Sequence, residues 1–405
     1  MGWNMKIVFF SFYYPPDLSA GSFRSVALSK ALADKIGDND ELHVITTQPN
    51  RYKSHRLNAD NKEISGKIKI HRIKIPFHKS GMVSQAYAFI MYAIPAFIIC
   101  RKIKPHFLIG TSSRLMTGIL TYISAKVLRL KYYIDLRDIF SETISDIFAL
   151  KSNFLSYVFS SFFSFLDKKM LNSASGVNVV SEAFPEYFKK KGINTSNWSF
   201  FPNGIDEEFL SYQAAAKKTH KNVTTIMYAG NIGKGQGLEL VVPEIAKLVG
   251  HSFRFVIIGD GGAISLLKEK LRRENIDNVE ILPPVSRPEL IELYLSADIM
   301  FLHLNNIKAF QRVLPSKIFE YIALKKPIVA GLSGYSAKFL QQNAPHAFLF
   351  KPGDYDAGTS CLLDAVGSQV SEINTNTFIA KYSRSIIMEQ MATQLIDLIG
   401  ASFDD

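Results

Sequence analysis

The chain has 405 residues, 47% of them apolar and 20% charged, with a formal net charge of +11 and an isoelectric point near 9.3. That length leaves room for two or three domains with cores of their own, and the positive balance favours anionic partners: phosphates, nucleic acid or an acidic membrane surface. Cys100 and Cys361 stand far apart and the nine histidines are scattered, which excludes a disulfide framework and the usual zinc spacings, so a reducing compartment and no structural metal are expected.

The opening MGWNMKIVFF lacks the pattern of a secretory signal, and Met5 is read as a second candidate start. KIVFFSF (residues 6–12) reads as a buried strand broken by YYPP, and SFRSVALSKALADKI (22–36) has helical period. ELHVITT (41–47), HFLIGT (106–111), KYYIDLRD (131–138) and GVNVVS (176–181) read as further strands. Between them lies AYAFIMYAIPAFIIC (86–100), the most apolar stretch. It falls short of the roughly 20 residues a membrane span needs and Pro95 interrupts it, which predicts a helix partly buried or lying in an interface. NFLSYVFSSFFSFLDKKML (153–171) spaces Ser156, Ser160 and Ser164 helically among aromatics. With Arg101, Lys102, Lys104, Lys168 and Lys169, these two stretches read either as a membrane-facing surface or as core helices.

After FPNGIDEEF comes SYQAAAKKTHKN (211–222), lysine-rich and without a core face, which reads as a linker. A second run of strands and helices follows: TTIMYAG, FRFVIIGDGG, VEILPPV, ADIMFLHL and PIVAG, then a helical stretch over 378–400. The alternation predicts an α/β protein of two Rossmann-like, doubly wound parallel-sheet domains facing a central cleft. The expected division is an acceptor domain over 1–210, a linker over 211–222, a nucleotide-sugar domain over 223–380, and a C-terminal helix over 381–405 returning to the first domain.

In such folds ligands sit beyond the carboxyl ends of strands, with phosphates on helix N-termini. The loop YYPPDLSAGSFR puts Gly21 and Ser22 at a helix start and Arg24 in its first turn. YAGNIGKGQGLEL holds Gly230, Asn231, Gly233 and Lys234; its glycines expose backbone donors, and one lysine suits a pyrophosphate. FRFVIIGDGGAI does not complete a dinucleotide fingerprint, because Ile264 stands at the third glycine position; Gly259 then reads as part of a tight strand-to-helix turn. VLPSKIFEYIALKKPIVAG sets Pro315 in a first helical turn, Ser316 and Lys317 toward a phosphate, and Glu320 one turn on. A carboxylate there suits ribose hydroxyls. Arg137 and Asp138, past a strand end, read as site residues, whereas His303 in FLHLNN reads as a packed strand-end histidine.

Taken in order, FYYPPDLSAGSFR, IDLRDIF, FPNGID, YAGNIGKGQGLE, VIIGDG and PSKIFEYIALKKPIVAG resemble family 4 glycosyltransferases of the GT-B fold, closest to the bacterial N-acetyl-L-fucosamine transferases of O-antigen and capsule synthesis. The resemblance spans nearly the whole chain. It implies retaining, metal-independent transfer from a nucleotide-diphosphate sugar, UDP-linked, to a lipid-linked saccharide, with no cofactor beyond the donor. It places the loops of Gly21 and Lys234 at the pyrophosphate, Ser316 and Lys317 at phosphate, Glu320 at ribose, and Arg137 and Asp138 beside the sugar. Base contacts fall to the loop around Val285. The chain departs from the family at Arg312, where the first of two paired acids is usual, and at Asn231 and Gln236, where Arg and Lys are usual. It further implies a cytoplasmic protein at the anionic inner face of the plasma membrane. A nucleotide-sugar 2-epimerase on the same fold and, from charge alone, a nucleic-acid-binding protein are the rival readings; no nucleic-acid motif supports the latter.

Overall fold

The computed structural model describes residues 4–17, 19–49, 59–76, 82–112, 115–139, 153–211, 223–368 and 372–401. The chain divides into two compact units, residues 1–203 with 384–405 and residues 204–383. The expected linker, apart from Ser211, lies outside the described residues, and so do Met1, Gly2 and Trp3.

The first unit contains β1 (Lys6–Phe10), β2 (Glu41–Thr47), β3 (Lys62–Ser65), β4 (Ile68–Ile73), β5 (Phe107–Thr111), β6 (Lys131–Leu136), β7 (Gly176–Val179) and β8 (Trp198–Phe200). They form one sheet in the order β3-β4-β2-β1-β5-β6-β7-β8. Only the β3–β4 pair is antiparallel. The runs FLIGT and GVNV, and KIVFF after Lys6, are buried along their length, as strands covered on both faces must be. On one face Val8, Phe10, Leu108, Ile134 and Val177 share a core with the helices Met82–Ile103, Leu115–Leu128 and Asn153–Asn172. Alternate residues point the other way, where the helices Ala20–Lys35 and Arg384–Gly400 pack together.

Two expectations change here. The apolar stretch at 86–100 belongs to a 22-residue helix, Met82–Ile103, with Pro95 inside it. Its Ala86–Ile103 segment has a mean hydropathy of 1.5 and is only 28% buried, so by length and composition it is long enough to cross a membrane. Pro95 does not end the helix, because a single missing N–H removes only one intrahelical bond. The stretch over 378–400 is two helices, Glu372–Tyr382 and Arg384–Gly400, parted at Ser383. There Ile205 N–H donates to the Tyr382 carbonyl, 2.8 Å away, which anchors the start of the second unit to its end.

The second unit contains β9 (Thr224–Asn231), β10 (Phe253–Asp260), β11 (Val279–Leu282), β12 (Ile299–His303), β13 (Ile328–Gly331) and β14 (Ala347–Phe350). Their order is β11-β10-β9-β12-β13-β14, every neighbouring pair parallel. Strand order reverses on either side of β9, so the loops after β9 and β12 flank the switch point where such sheets bind ligands. Both units are doubly wound parallel-sheet folds, as the alternation predicts.

Candidate functional site in the second unit

β9 ends in Gly230 and Asn231, and the φ of 147° at Gly230 suits glycine. A Cβ there would overlap the ammonium of Lys317, so the glycine and the lysine share one space. Lys317 reaches this point from the first turn of the helix Lys317–Ala323, and its Nζ lies 5.7 Å from the centre of the Tyr228 ring. Every other side chain of that helix, Ile318 to Ala323, is buried. Phe319 is held by Phe339, Phe378 and Tyr382, and the Tyr321 hydroxyl accepts from the Ala229 N–H at 3.3 Å. Lys317 is therefore mounted on rigid packing at the carboxyl end of β9. Ser316 is the N-cap and makes no side-chain cap bond; Pro315 precedes it, one position earlier than expected.

The rest of the glycine loop closes on itself. Asn231 Nδ2 and the Gly233 N–H both donate to Gln236 Oε1, at 2.8 and 3.2 Å. Two positions that carry cations in the resembled family here form a neutral amide pair. Lys234 stands exposed at the loop tip, and its carbonyl accepts from Asn305 Nδ2 of the segment after β12. His303, fully buried at the end of β12, bonds through Nδ1 to the Gln236 carbonyl at 2.6 Å, and its Nε2 accepts from the Gly353 N–H at 3.1 Å. Those partners require a neutral ring protonated on Nδ1, and burial lowers its pKa accordingly. His303 is thus the packed residue expected, with the added task of holding the glycine loop.

Glu320 is 9% exposed and already engaged. Its Oε1 accepts from Arg287 Nη1 at 3.3 Å and its Oε2 from the Tyr294 hydroxyl at 3.5 Å. Arg287 also bonds Asp206 and Glu208 and lies 4.4 Å from the centre of the Phe209 ring. Burial opposes its charge, but Glu320 and Asp206 outweigh that and hold its pKa above the ordinary value. Arg287 was not singled out from sequence; an arginine opening a helix after the LPPVS loop was the available signal. The half-buried Val285 lies two residues before it. Gly259, by contrast, is buried against its strand neighbour: a Cβ there would strike the carbonyl of Gly230. It allows β9 and β10 to approach and is not placed as a ligand. Arg312 closes a short 3-10 turn, with Nη1 donating to the Lys308 carbonyl at 3.2 Å. Among the described residues no group of three or more His, Cys, Asp or Glu is placed to hold a metal.

The first unit carries the other expected residues after β1 and at the end of β6. Gly21 and Ser22 are buried in the first turn of the helix Ala20–Lys35, where the Ser22 N–H donates to the Ser19 side chain at 3.1 Å. Arg24 is 1% exposed and corrects the reading of it as a phosphate ligand. Its Nε and Nη2 clasp the Asp135 carboxylate at 2.9 Å each, and it also donates to the carbonyls of Phe201 and Pro202. Asn178 joins the same network, donating to Asp135 at 2.7 Å and accepting from the Phe201 N–H. Burial raises the Asp135 pKa, but Arg24 overrides it and holds the carboxylate below its usual range. The signal missed in sequence is Asp135 itself: an acid within an apolar strand needs a paired cation.

Arg137 lies two residues on, and it is different in kind. Its backbone N–H donates to Ser112 at 3.0 Å and its Nη2 to Asn203 Oδ1 at 3.3 Å, while Nε and Nη1 are inaccessible to solvent and have no hydrogen-bond partner among the described residues. Burial lowers its pKa to about 10 against the pull of Asp135. Asp138 is half-buried beside it.

Residues 211–366 match the family model of glycosyl transferases group 1. The match covers less than half of the chain, and over it the second unit is similar to the group 1 glycosyltransferases. A likeness over nearly the whole chain is found in structure. Sucrose-phosphate synthase from Thermosynechococcus elongatus superposes with a TM-score of 0.74 at 12% identity, over 98% of this chain and 100% of that one. HepE of Anabaena, in complex with UDP and glucose, superposes with a TM-score of 0.67 at 15% identity, over 97% and 100%. The fold is GT-B. In sequence, the chain is similar to the Escherichia coli (strain K12) protein WcaI, named as a colanic acid biosynthesis glycosyl transferase, with 26% identity over 178 residues. That match covers 42% of this chain and 44% of WcaI, less than half the length of the relative.

Proposed function

We propose that the protein is a retaining glycosyltransferase that needs no metal and moves a sugar from a UDP-linked donor, an N-acetylamino-deoxyhexose, to a lipid-linked saccharide in bacterial surface polysaccharide synthesis. The observation that carries the donor assignment is the Lys317 ammonium seated over Gly230 at the switch point, with Glu320 on the same helix. The group 1 family match and the UDP-bound HepE structure support a nucleotide-sugar donor, and WcaI supports a polysaccharide setting.

In this reading Lys317 and the exposed Lys234 stabilise the charge that grows on the departing pyrophosphate, and Glu320 accepts hydrogen bonds from ribose. The C1–O bond to phosphate breaks as the acceptor hydroxyl attacks from the same face. The leaving phosphate oxygen takes the hydroxyl proton, so no protein nucleophile is required and positioning carries the rate. Arg137 and Asp138 are assigned to the reacting sugar. Glu320 exchanges its bond to Arg287 for ribose, or shares itself between both, since a carboxylate has about four acceptor positions.

Calorimetry with UDP, GDP, dTDP and CMP tests the reading. Tight binding of UDP that is lost in Glu320→Ala supports it; preference for another diphosphate corrects the donor, and failure of all four to bind overturns it. An anomeric assignment of the product by NMR decides between retention and inversion.

A further inference from the structure

Three neighbouring helices of the first unit turn an apolar, basic surface outward. The helix Met82–Ile103 buries Ala88, Phe89, Tyr92, Ala96 and Cys100 in the core. Its opposite side exposes Tyr87, Ile90, Met91, Ile94 and Ile98, with Ile94 59% accessible. The spacing of three, four and seven puts these on one stripe about 17 Å long at 1.5 Å per residue. The adjoining helix Leu115–Leu128 exposes Ile123 and Val127, and Asn153–Asn172 exposes Phe162 and Phe165. A stripe of this extent is not explained by scattered surface apolars.

Charge says what covers it. The three helices carry Arg101, Lys102, Lys126, Lys168 and Lys169, all exposed, and a single acid, Asp167, which is buried. Between the second and third helices runs a groove of about 580 Å³ lined by Tyr122, Lys126, Phe165, Lys168 and Lys169. The Lys169 ammonium lies 5.7 Å from the Phe165 ring centre, so aromatic and cationic groups are interleaved as at a membrane interface.

We propose that this face docks on an anionic phospholipid bilayer, with the stripe of the helix Met82–Ile103 lying in the interface and lipid phosphates in the lysine groove. The helix lies in the plane and does not cross, because its buried side is part of the core of the sheet. The proposal names the surface by which the enzyme meets a lipid-linked acceptor, yet it stands on the first unit alone and not on the transfer reading.

The test is flotation of the full chain with phosphatidylcholine vesicles, with and without phosphatidylglycerol, at low and high salt. We expect flotation with the anionic vesicles at low salt only. Ile94→Asp with Ile98→Asp should abolish it, and the triple Lys126→Glu, Lys168→Glu, Lys169→Glu should lower partition by at least about a hundredfold. All substituted positions are exposed, and circular dichroism verifies folding. Lys317→Ala should float like the parent, which separates docking from donor chemistry. Absence of flotation, equal binding to neutral vesicles, or parent-like flotation of the Ile94/Ile98 variant would each overturn the proposal. Retention through alkaline carbonate extraction would show a crossing helix and overturn it as well. A dimer in solution that the same variant dissolves would assign the face to a second copy of the chain.

Discussion

Lys317 and Gly230 act as one device, since the glycine leaves the space that the ammonium fills. Lys317→Ala should lower turnover by about a hundredfold, as loss of one charge contact to a transition state does, measured by steady-state transfer under saturating donor. Gly230→Ala should displace the lysine and give a similar loss with the charge still present. Wild-type turnover in either variant would refute the pairing. Arg287 is a positioning residue for Glu320. Arg287→Ala, read by calorimetry, should weaken nucleotide binding by about tenfold or more, because a buried hydrogen bond to a charge is worth roughly 1.5–3 kcal/mol. The roles proposed for Lys317 and Glu320 rest on their order in PSKIFE; that Arg287 holds Glu320 was not legible there, because 33 residues separate them. Arg24 shows the opposite case. Its place in a first helical turn suggested a ligand, and only the three-dimensional pairing with Asp135, 111 residues away, gives it a structural task.

At the scale of elements, apolar runs bounded by turn residues located the central strands within one or two residues, because burial on both faces leaves an unbroken hydrophobic signature. Four strands escaped: β3 is exposed throughout and β8 has only three residues, so neither carries a pattern, and β4 and β14 were not read from the sequence either. The network of Arg24, Asp135 and Asn178 ties the helix Ala20–Lys35 to β6, β7 and the segment after β8. Asp135→Ala should destabilise the first unit by about 3–5 kcal/mol, seen as a lower urea midpoint, since it strands a buried guanidinium. Replacing an exposed pair such as Glu186 and Lys190 should change that midpoint by less than about 1 kcal/mol.

Across the whole molecule, buried histidines set the response to acid. Burial lowers the pKa of His71 and of His346 to about 4, and that of His43 and His303 to below its ordinary value. In the unfolded chain the rings of His71 and His346 take up protons near pH 6.5, whereas in the folded chain they resist until about pH 4; those of His43 and His303 shift in the same direction. Their contribution is therefore complete above about 6.5 and is lost as pH falls toward 4. Thermal melts should show a falling midpoint across that window. The His43–His71 contact makes the first unit especially sensitive: His43 Nε2 donates to Glu41, so its Nδ1 must accept from His71. His43→Gln should flatten part of the decline; an unchanged slope would show that the His43–His71 contact does not contribute to it.

The sequence alone determined the class of fold, because periodicity, turn residues and the alternation of strand with helix are local properties that survive without coordinates. It also determined the order of the glycine-loop and PSK motifs and the net positive charge. Tertiary structure alone decided which polar groups are spent inside the protein. Arg24 is consumed by Asp135, Asn231 by Gln236 and His303 by the glycine loop, while Arg137 keeps buried N–H groups with no hydrogen-bond partner among the described residues. Hydrogen bonds of that kind join residues far apart in sequence, and their energy depends on distance and burial, which exist only once the chain has folded.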